Sequence, residues 1–314
     1  MIEAKKVNFA YSDSFFLKNI SLKVEKGKTL GIIGHSGSGK TTMLKILAGL
    51  IEPTEGFVLL EGEKLDPPSK KLIAGHKRIK IVNQQNTLFP NISIFENIAY
   101  ELRFFQKNYQ TKRVNKLAKD FGIAHLLTKF PRELSGGEIQ RVMLAKAIAD
   151  EPSVLLLDEP FANLDQIIKK KVMLNLNAVL KKENIASILV THDINDAFGL
   201  VNELLIIKNG RMIQKGTSEH IYHTPKNKYV ALLTGNGFNL KINEKEIFVR
   251  QENIVLDKSG EYEANILDNI FKGHFYELIF EFGGETIFCL NKEPMPIGQK
   301  IRFSLKSVID FNQN

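Results

Sequence analysis

Gly34-His35-Ser36-Gly37-Ser38-Gly39-Lys40-Thr41 fits the phosphate-binding loop pattern G-x-x-x-x-G-K-[ST] at every required position. An apolar strand pattern, Leu30 to Ile33, precedes it, and an amphipathic helix pattern (Met43, Leu44, Ile46, Leu47, Leu50) follows. That context separates a functional loop from a Gly/Ser turn that binds nothing. Glycines let backbone N–H groups turn inward around an anion, and the following helix N-terminus adds partial positive charge. Lys40 is placed to reach the terminal phosphates of a nucleotide and the Thr41 hydroxyl to ligate Mg²⁺. The stretch therefore predicts a strand–loop–helix unit of an α/β protein.

Farther along, Leu134-Ser135-Gly136-Gly137-Glu138 opens a second amphipathic helix (Ile139, Val142, Met143, Ala145, Ala147, Ile148). Alone, a Ser-Gly-Gly run at a helix start reads equally well as an ordinary cap and turn. Shortly after it, Val154-Leu155-Leu156-Leu157-Asp158-Glu159-Pro160 is an apolar run ending in two acids, the pattern of a buried parallel strand. Ligands of open α/β sheets gather at the carboxyl ends of strands, which places both acids at the nucleotide. In this order, the three stretches resemble the loop, signature and acidic strand of the ATP-binding cassette ATPases.

The resemblance carries over position by position. It makes Ser135, Gly136 and Gly137 the signature loop, Asp158 the acid that organises Mg²⁺, and Glu159 the general base for the attacking water. Tyr11, in Phe9-Ala10-Tyr11-Ser12, is similar to the aromatic that stacks on adenine, although a tyrosine on an edge strand fits the same local pattern. Gln84 resembles the glutamine that touches Mg²⁺ and the attacking water; Leu88-Phe89-Pro90 selects it by alignment, with Gln85 as the adjacent alternative. Phe161-Ala162-Asn163-Leu164-Asp165 is similar to the loop through which two subunits communicate. Ile188-Leu189-Val190-Thr191-His192-Asp193 reads as another buried strand, and its His192 resembles the switch histidine at the γ-phosphate.

These positions imply an Mg²⁺-dependent ATPase. ATP would lie on Tyr11, Gly34, His35, Ser36, Gly37, Ser38, Gly39, Lys40, Thr41 and Thr42, with Ser135, Gly136, Gly137 and Asp165 completing its shell. Thr41, Gln84 and Asp158 would hold the metal, and Lys40, Gln84, Glu159 and His192 would act in bond cleavage. In the family, Ser135 and Gly137 of one chain close over ATP held by the other in a head-to-tail homodimer, a task suited to a helix N-terminus. Departures are few: His35 stands where proline is often found, Lys146 where arginine is common, and Asn83 where an aromatic is frequent. None is a group needed for bond cleavage.

Composition agrees without discriminating. Hydrophobic content of 43% and charged content of 25% are ordinary for a globular protein. No apolar run approaches the roughly 18 residues of a membrane span, and Met1 to Val7 lacks the apolar core of a secretory leader. The single cysteine, Cys289, excludes an internal disulfide and reads as a small apolar residue on a strand. Net charge is +8, yet residues 241–314 carry nine Lys/Arg against twelve Asp/Glu, so the basic excess belongs to the nucleotide-binding part. The largest basic group, Lys169-Lys170-Lys171 with Lys181-Lys182, falls on an amphipathic helical pattern and is expected as a solvated face. No aromatic-interleaved basic strip suggests bound nucleic acid.

The chain is therefore expected to comprise a cassette ATPase with a mixed-sheet core over residues 1–234, its helical subdomain at about 88–150, and a small all-β accessory barrel of the oligonucleotide/oligosaccharide-binding (OB-like) type over 235–314. Gly235-Asn236-Gly237-Phe238-Asn239 reads as the linker. Phe248 to Ile254 resembles the opening of the accessory (TOBE-like) domain of importer ATPases. The family implies a peripheral subunit on the cytoplasmic face of the inner membrane. Its partners would be a transmembrane permease gripped by the helical lobe (Ile92, Ile94, Phe95, Ile98, Leu102, Phe104, Phe105) and, indirectly, a substrate-binding protein. The short terminal domain points toward ferric iron, polyamine or oxyanion import. The alternative is a soluble cassette ATPase acting on ribosomes or nucleic acid, which usually carries two cassettes or a long coiled-coil insertion; the sequence has neither.

Overall fold

A strand buried on both faces reads as an uninterrupted apolar run, because its side chains alternate between two cores. Two such cores organise the first half of the molecule. The computed structural model describes residues 1–12, 15–83, 88–162 and 164–311, with residues 11, 12, 15 and 16 placed by backbone alone. The chain divides into two compact units, Met1–Ser218 and Glu219–Asn314.

The first unit runs β1 (Ile2–Ser12), β2 (Phe15–Val24), β3 (Thr29–Ile33), α1 (Lys40–Leu47), β4 (Glu55–Leu60), β5 (Glu63–Lys64), β6 (Ile79–Val82), α2 (Ile94–Ala99), α3 (Lys107–Asp120), α4 (Gly136–Ile148), β7 (Val154–Asp158), α5 (Gln166–Lys182), β8 (Ala186–Val190), α6 (Ile194–Leu200), β9 (Glu203–Lys208) and β10 (Arg211–Gly216). An antiparallel sheet has the order β2-β1-β4-β5. A mixed sheet has the order β10-β9-β3-β8-β7-β6, parallel except for β10. On β7, Val154 and Leu156 enter the core shared with α1 and the antiparallel sheet, while Leu155 and Leu157 enter the core built on α2 to α5. The register sets Ile32, Val190 and Asp158 level across β3, β8 and β7. Among the described residues no helix is long and apolar enough to cross a membrane.

The second unit contains α7 (Ser218–His223), α8 (Lys228–Thr234), then β11 (Gly237–Ile242), β12 (Lys245–Arg250), β13 (Ile254–Leu256), β14 (Tyr262–Asn265), β15 (Asp268–Phe271), β16 (Tyr276–Phe282), β17 (Glu285–Asn291), β18 (Lys300–Leu305) and β19 (Val308–Ile309). Three small antiparallel sheets, β11-β12-β19, β13-β18-β14 and β15-β16-β17, enclose one apolar cluster in which Leu278, Phe280 and Phe303 are fully buried. These strands are the all-β architecture expected over residues 235–314. The compact units divide at 218/219, whereas the composition pointed to residue 234. The cause is Arg250, which is buried and donates to Ala231 O (2.6 Å), Tyr222 O (2.8 Å) and the Thr234 hydroxyl (2.9 Å). A cation at the last carbonyls of α8 also suits the helix dipole. Gly237 is a packing position rather than part of a linker, because a Cβ there would lie 2.4 Å from Phe248 Cζ.

One buried charge fastens the helical part of the first unit. Arg113 of α3, 5% exposed, forks onto both oxygens of Glu183 (2.5 and 2.7 Å) at the end of α5. It also donates to Ala149 O (3.1 Å) and Ile148 O (2.8 Å), carbonyls at the end of α4. Burial would push the Glu183 carboxyl up, but the Arg113 fork overrides it and holds the group below the usual glutamate range. Three helices thus share one bidentate contact. Replacing Arg113 with Met leaves Glu183 buried beside exposed Lys116 alone, and unfolding free energy should fall by about 3–5 kcal/mol in urea titration. Because the Glu183 pKa is depressed, the pair's contribution is present above the ordinary glutamate range. It is lost as pH falls through the folded-state value, so the gap between wild type and Arg113→Met should narrow in acid.

Candidate active site

Each of three level strands delivers one component of the site. β3 ends at Ile33, and residues 34–39 turn the chain into α1. Gly39, the N-cap of α1, has φ +105°, a left-handed conformation open to glycine. At Gly34 a Cβ would lie 2.2 Å from Ile207 O, so only glycine fits against β9. No side chain caps α1, which leaves its first-turn N–H groups free for an anion. Lys40 is buried, and its ammonium donates to Gly34 O (2.7 Å) and His35 O (3.0 Å). The Ser38 hydroxyl is also buried and has no hydrogen-bond partner, an orphan inside the loop.

β7 delivers Asp158 and then Glu159. Burial pushes the Asp158 carboxyl up; a hydrogen bond from Thr41 and the charge of Lys40 oppose this, while the charge of Glu159 adds to it. Burial likewise pushes the Lys40 ammonium down, against the pull of Glu159 and Asp158. The backbone of Glu159 is left-handed (φ +52°), an uncommon state for a side chain of this length, and its N–H donates to Val190 O at 2.9 Å. That turn aims the carboxylate at β8. There Glu159 Oε1 lies 2.8 Å from His192 Nδ1, and Oε2 accepts from the Thr191 hydroxyl at 3.4 Å.

A cavity of about 550 Å³ joins these pieces, lined by Ser36, Gly37, Gly39, Lys40, Thr41, Thr42, Lys45, Asp158, Glu159 and Val190. Lys45 was not among the expected site residues. Its signal was available: it lies four residues after Thr41, on the same face of α1. The cavity is concave, cationic along α1 and acidic at one wall, an arrangement suited to a polyphosphate with a metal ion and to an attacking water at Glu159.

Other expected positions lie elsewhere or are not described. Ser135 caps α4 through a full capping box with Glu138, so the plain reading of that stretch as a helix cap holds. Ser135 and Gly136 are nonetheless exposed, and a Cβ on Gly136 would meet nothing within 4 Å. Asp165 caps α5, accepting from Ile168 N at 3.1 Å. Neither lines the cavity of the same chain. His35 is exposed and does not line the cavity. Tyr11 lies on β1 with its side chain outside the described residues, and Gln84, Gln85 and Asn163 lie outside them altogether.

Comparison with known proteins follows the same lines. The family profile described as ABC transporter matches residues 17–162, which hold the loop, the signature and the acidic strand. The chain is 39% identical to the molybdate/tungstate import ATP-binding protein of Thermococcus kodakarensis over 70% of its own length and 66% of that relative's. It is 34% identical to the spermidine/putrescine import ATP-binding protein of Legionella pneumophila over 84% of its length and 74% of that relative's. A solved ATP-binding cassette, dimeric in a post-hydrolysis state with ADP and Pi, superposes with a TM-score of 0.61 at 31% identity, covering 69% of this chain and 98% of that one. The phosphate loop, the acidic strand end and these relatives agree, and the chain belongs to the ATP-binding proteins of ABC importers.

Proposed function

We propose that this chain is the ATP-hydrolysing subunit of an importer, working as a homodimer beneath a separate transmembrane permease. The observation that carries the reading is the single cavity holding the uncapped helix, Lys40, Thr41, Asp158 and Glu159 together. The orphaned Ser38 hydroxyl and the free N–H groups match an anion of several oxygens. Phosphoryl transfer to water spreads charge over those oxygens, so catalysis is mainly positioning and electrostatics. Lys40 exchanges its carbonyl partners for phosphate oxygens, whose negative charge stabilises an ammonium that burial disfavours. Glu159 takes the proton from a water aligned with the scissile bond, with His192 and Thr191 fixing its two oxygens.

Thr41 and Asp158 fit Mg²⁺: one hydroxyl and one carboxylate, already hydrogen-bonded to each other, are the sparse protein share this ion takes when phosphates supply the rest. When bound, the ion neutralises charge that develops on the transferred phosphoryl group. Gln84 is the further ligand proposed from the resemblance, and Tyr11 the adenine platform.

Exposed Gly136 makes the case for the partner chain. Nothing within its own chain packs against Gly136, which leaves its backbone open to a nucleotide held by a second copy. The helical lobe supplies the permease face. Ile94, Ile98 and Leu102 are buried in the core, whereas Phe104, Phe105, Tyr100 and Phe89 remain exposed in one stretch of chain. This sorting leaves an aromatic patch suited to a cytoplasmic helix of a membrane partner. The import substrates of the two relatives differ, and the imported solute of this chain belongs to its permease and binding protein. Residues 235–314 serve as the accessory TOBE-like barrel in this reading, and the chain sits on the cytoplasmic membrane face through its permease.

Three outcomes test these assignments. Glu159→Gln should retain ATP binding yet lose at least about 10²-fold in kcat, read by phosphate release and by nucleotide titration; near-normal turnover would remove Glu159 as the base. Mixing Lys40→Ala with Ser135→Arg chains, each inactive alone, should restore about one working site per mixed dimer, and absence of any recovery would count against the shared site. Phe104→Ser with Phe105→Ser should leave nucleotide affinity and Tm within error while abolishing co-purification with the cognate permease; unimpaired co-purification would place the docking face elsewhere.

A further inference from the structure

The lysine run on α5 does not behave as one solvated face. Lys170, Lys171, Lys181 and Lys182 are exposed, but the Lys169 side chain is only 18% exposed and points inward. It lies in the first turn of α5, where the helix dipole disfavours a cation. Two acids account for its position: Lys169 Nζ lies 3.0 Å from Asp193 Oδ2 and also pairs with Asp196 Oδ1. Asp196 is almost fully buried, so this ammonium is what makes its charge tolerable there.

Those acids continue into the active site. Asp193 Oδ1 caps α6 by accepting from Asn195 N (2.9 Å), and Asp193 N donates to the Thr191 hydroxyl (3.1 Å). The same hydroxyl donates to Glu159 Oε2, and His192, between Thr191 and Asp193, holds Glu159 Oε1. At its other end, Lys169 N donates to Asp165 O, the carbonyl of the α5 cap residue (2.8 Å). A path of charged and polar contacts therefore runs from the start of α5 to Oε2 of the proposed base, and His192, in the same short segment, contacts Oε1.

We propose that Lys169 is a positioning residue: by clamping Asp193 and Asp196 it fixes the start of α6, and through Thr191 and His192 it sets the orientation of Glu159. This inference rests on the hydrolytic reading of Glu159. Lys169 does not line the cavity. Without it, Asp193 and Asp196 face each other uncompensated, the α6 cap relaxes, and Thr191 no longer holds its oxygen. Displacement of a catalytic group by about 1 Å costs up to about 10²-fold in rate, whereas the phosphate loop remains untouched.

Lys169→Met should therefore lower kcat by about tenfold or more while the ATP dissociation constant stays within about twofold, and Lys169→Arg should recover most of the rate because it restores the cation. Thr191→Val breaks the same path at its other end. If the path is real, the double variant Lys169→Met/Thr191→Val loses no more than the worse single variant. A fold defect would instead lower Tm, nucleotide affinity and kcat together. Should Lys169→Met not yield folded chain, Asp193→Asn carries the same comparison, since it keeps the Lys169–Asp196 pair and can still cap α6. Wild-type kcat in Lys169→Met, failure of arginine to rescue, or losses that multiply in the double variant would overturn the assignment. Wild-type chain that binds but never hydrolyses ATP would instead overturn the reading of Glu159 itself.

Discussion

The site depends on the parallel register of three strands. Ile32, Val190 and Asp158 are level, so the residues just beyond them, the phosphate loop from Gly34, the Thr191-His192 pair and Glu159, emerge at one height on one edge of the sheet. A slip of one residue in β7 would exchange the two cores' side chains and turn Asp158 away from Thr41. The register is secured by burial on both faces: each strand offers apolar side chains to two cores at once, which leaves no alternative pairing with equal burial. The chemistry can then be assembled from short polar segments that carry little stability of their own.

This explains why so much of the site was legible in the sequence. Motif residues sit directly after apolar runs because strand ends are where chemistry is displayed, and the sequence order of loop, signature and acidic pair tracks the chain's passage through the sheet. Asp158 and Glu159 could be placed at the carboxyl edge of the sheet from the Val154–Leu157 run alone. What could not be read were contacts between segments distant in sequence. Lys169 looks like its neighbours Lys170 and Lys171 until Asp193 and Asp196 are known to face it. Gly237 looks like a linker residue until Phe248 is seen against it. Arg250 is one more strand-end cation until α7 and α8 supply the carbonyls that draw it inside, shifting the unit boundary by some sixteen residues.

The helical part of the first unit shows a related limit. Its apolar residues were recognisable as a group, but composition does not separate Ile98, fully buried, from Phe104, almost fully exposed. Asn97 makes that separation physical. Buried, it accepts from Phe89 N and donates to Phe89 O, Ile92 O and Ser93 O, fixing the chain between residues 89 and 93 against α2. Burial of Ile94 and Ile98 follows from that anchor, and exposure of Phe104 follows from the turn after Leu102. A polar residue thus decides which hydrophobic residues remain outside.

The charges around the cavity suit a polyphosphate accompanied by a divalent cation. Lys40 is held below its ordinary ammonium range and Asp158 above its ordinary carboxylate range, both through burial. Each is an ion in surroundings that disfavour it, and each is partnered only by groups that a phosphate or a divalent cation replaces to advantage. Ser38 and the first turn of α1 add donors with no acceptor. A polyphosphate with a divalent cation would therefore lower the electrostatic cost of these two groups rather than add to it. The Ser135–Gly137 turn, part of the nucleotide shell in the proposed function, does not line the cavity of its own chain. A second copy of the chain, as in the proposed homodimer, is the economical source of that turn.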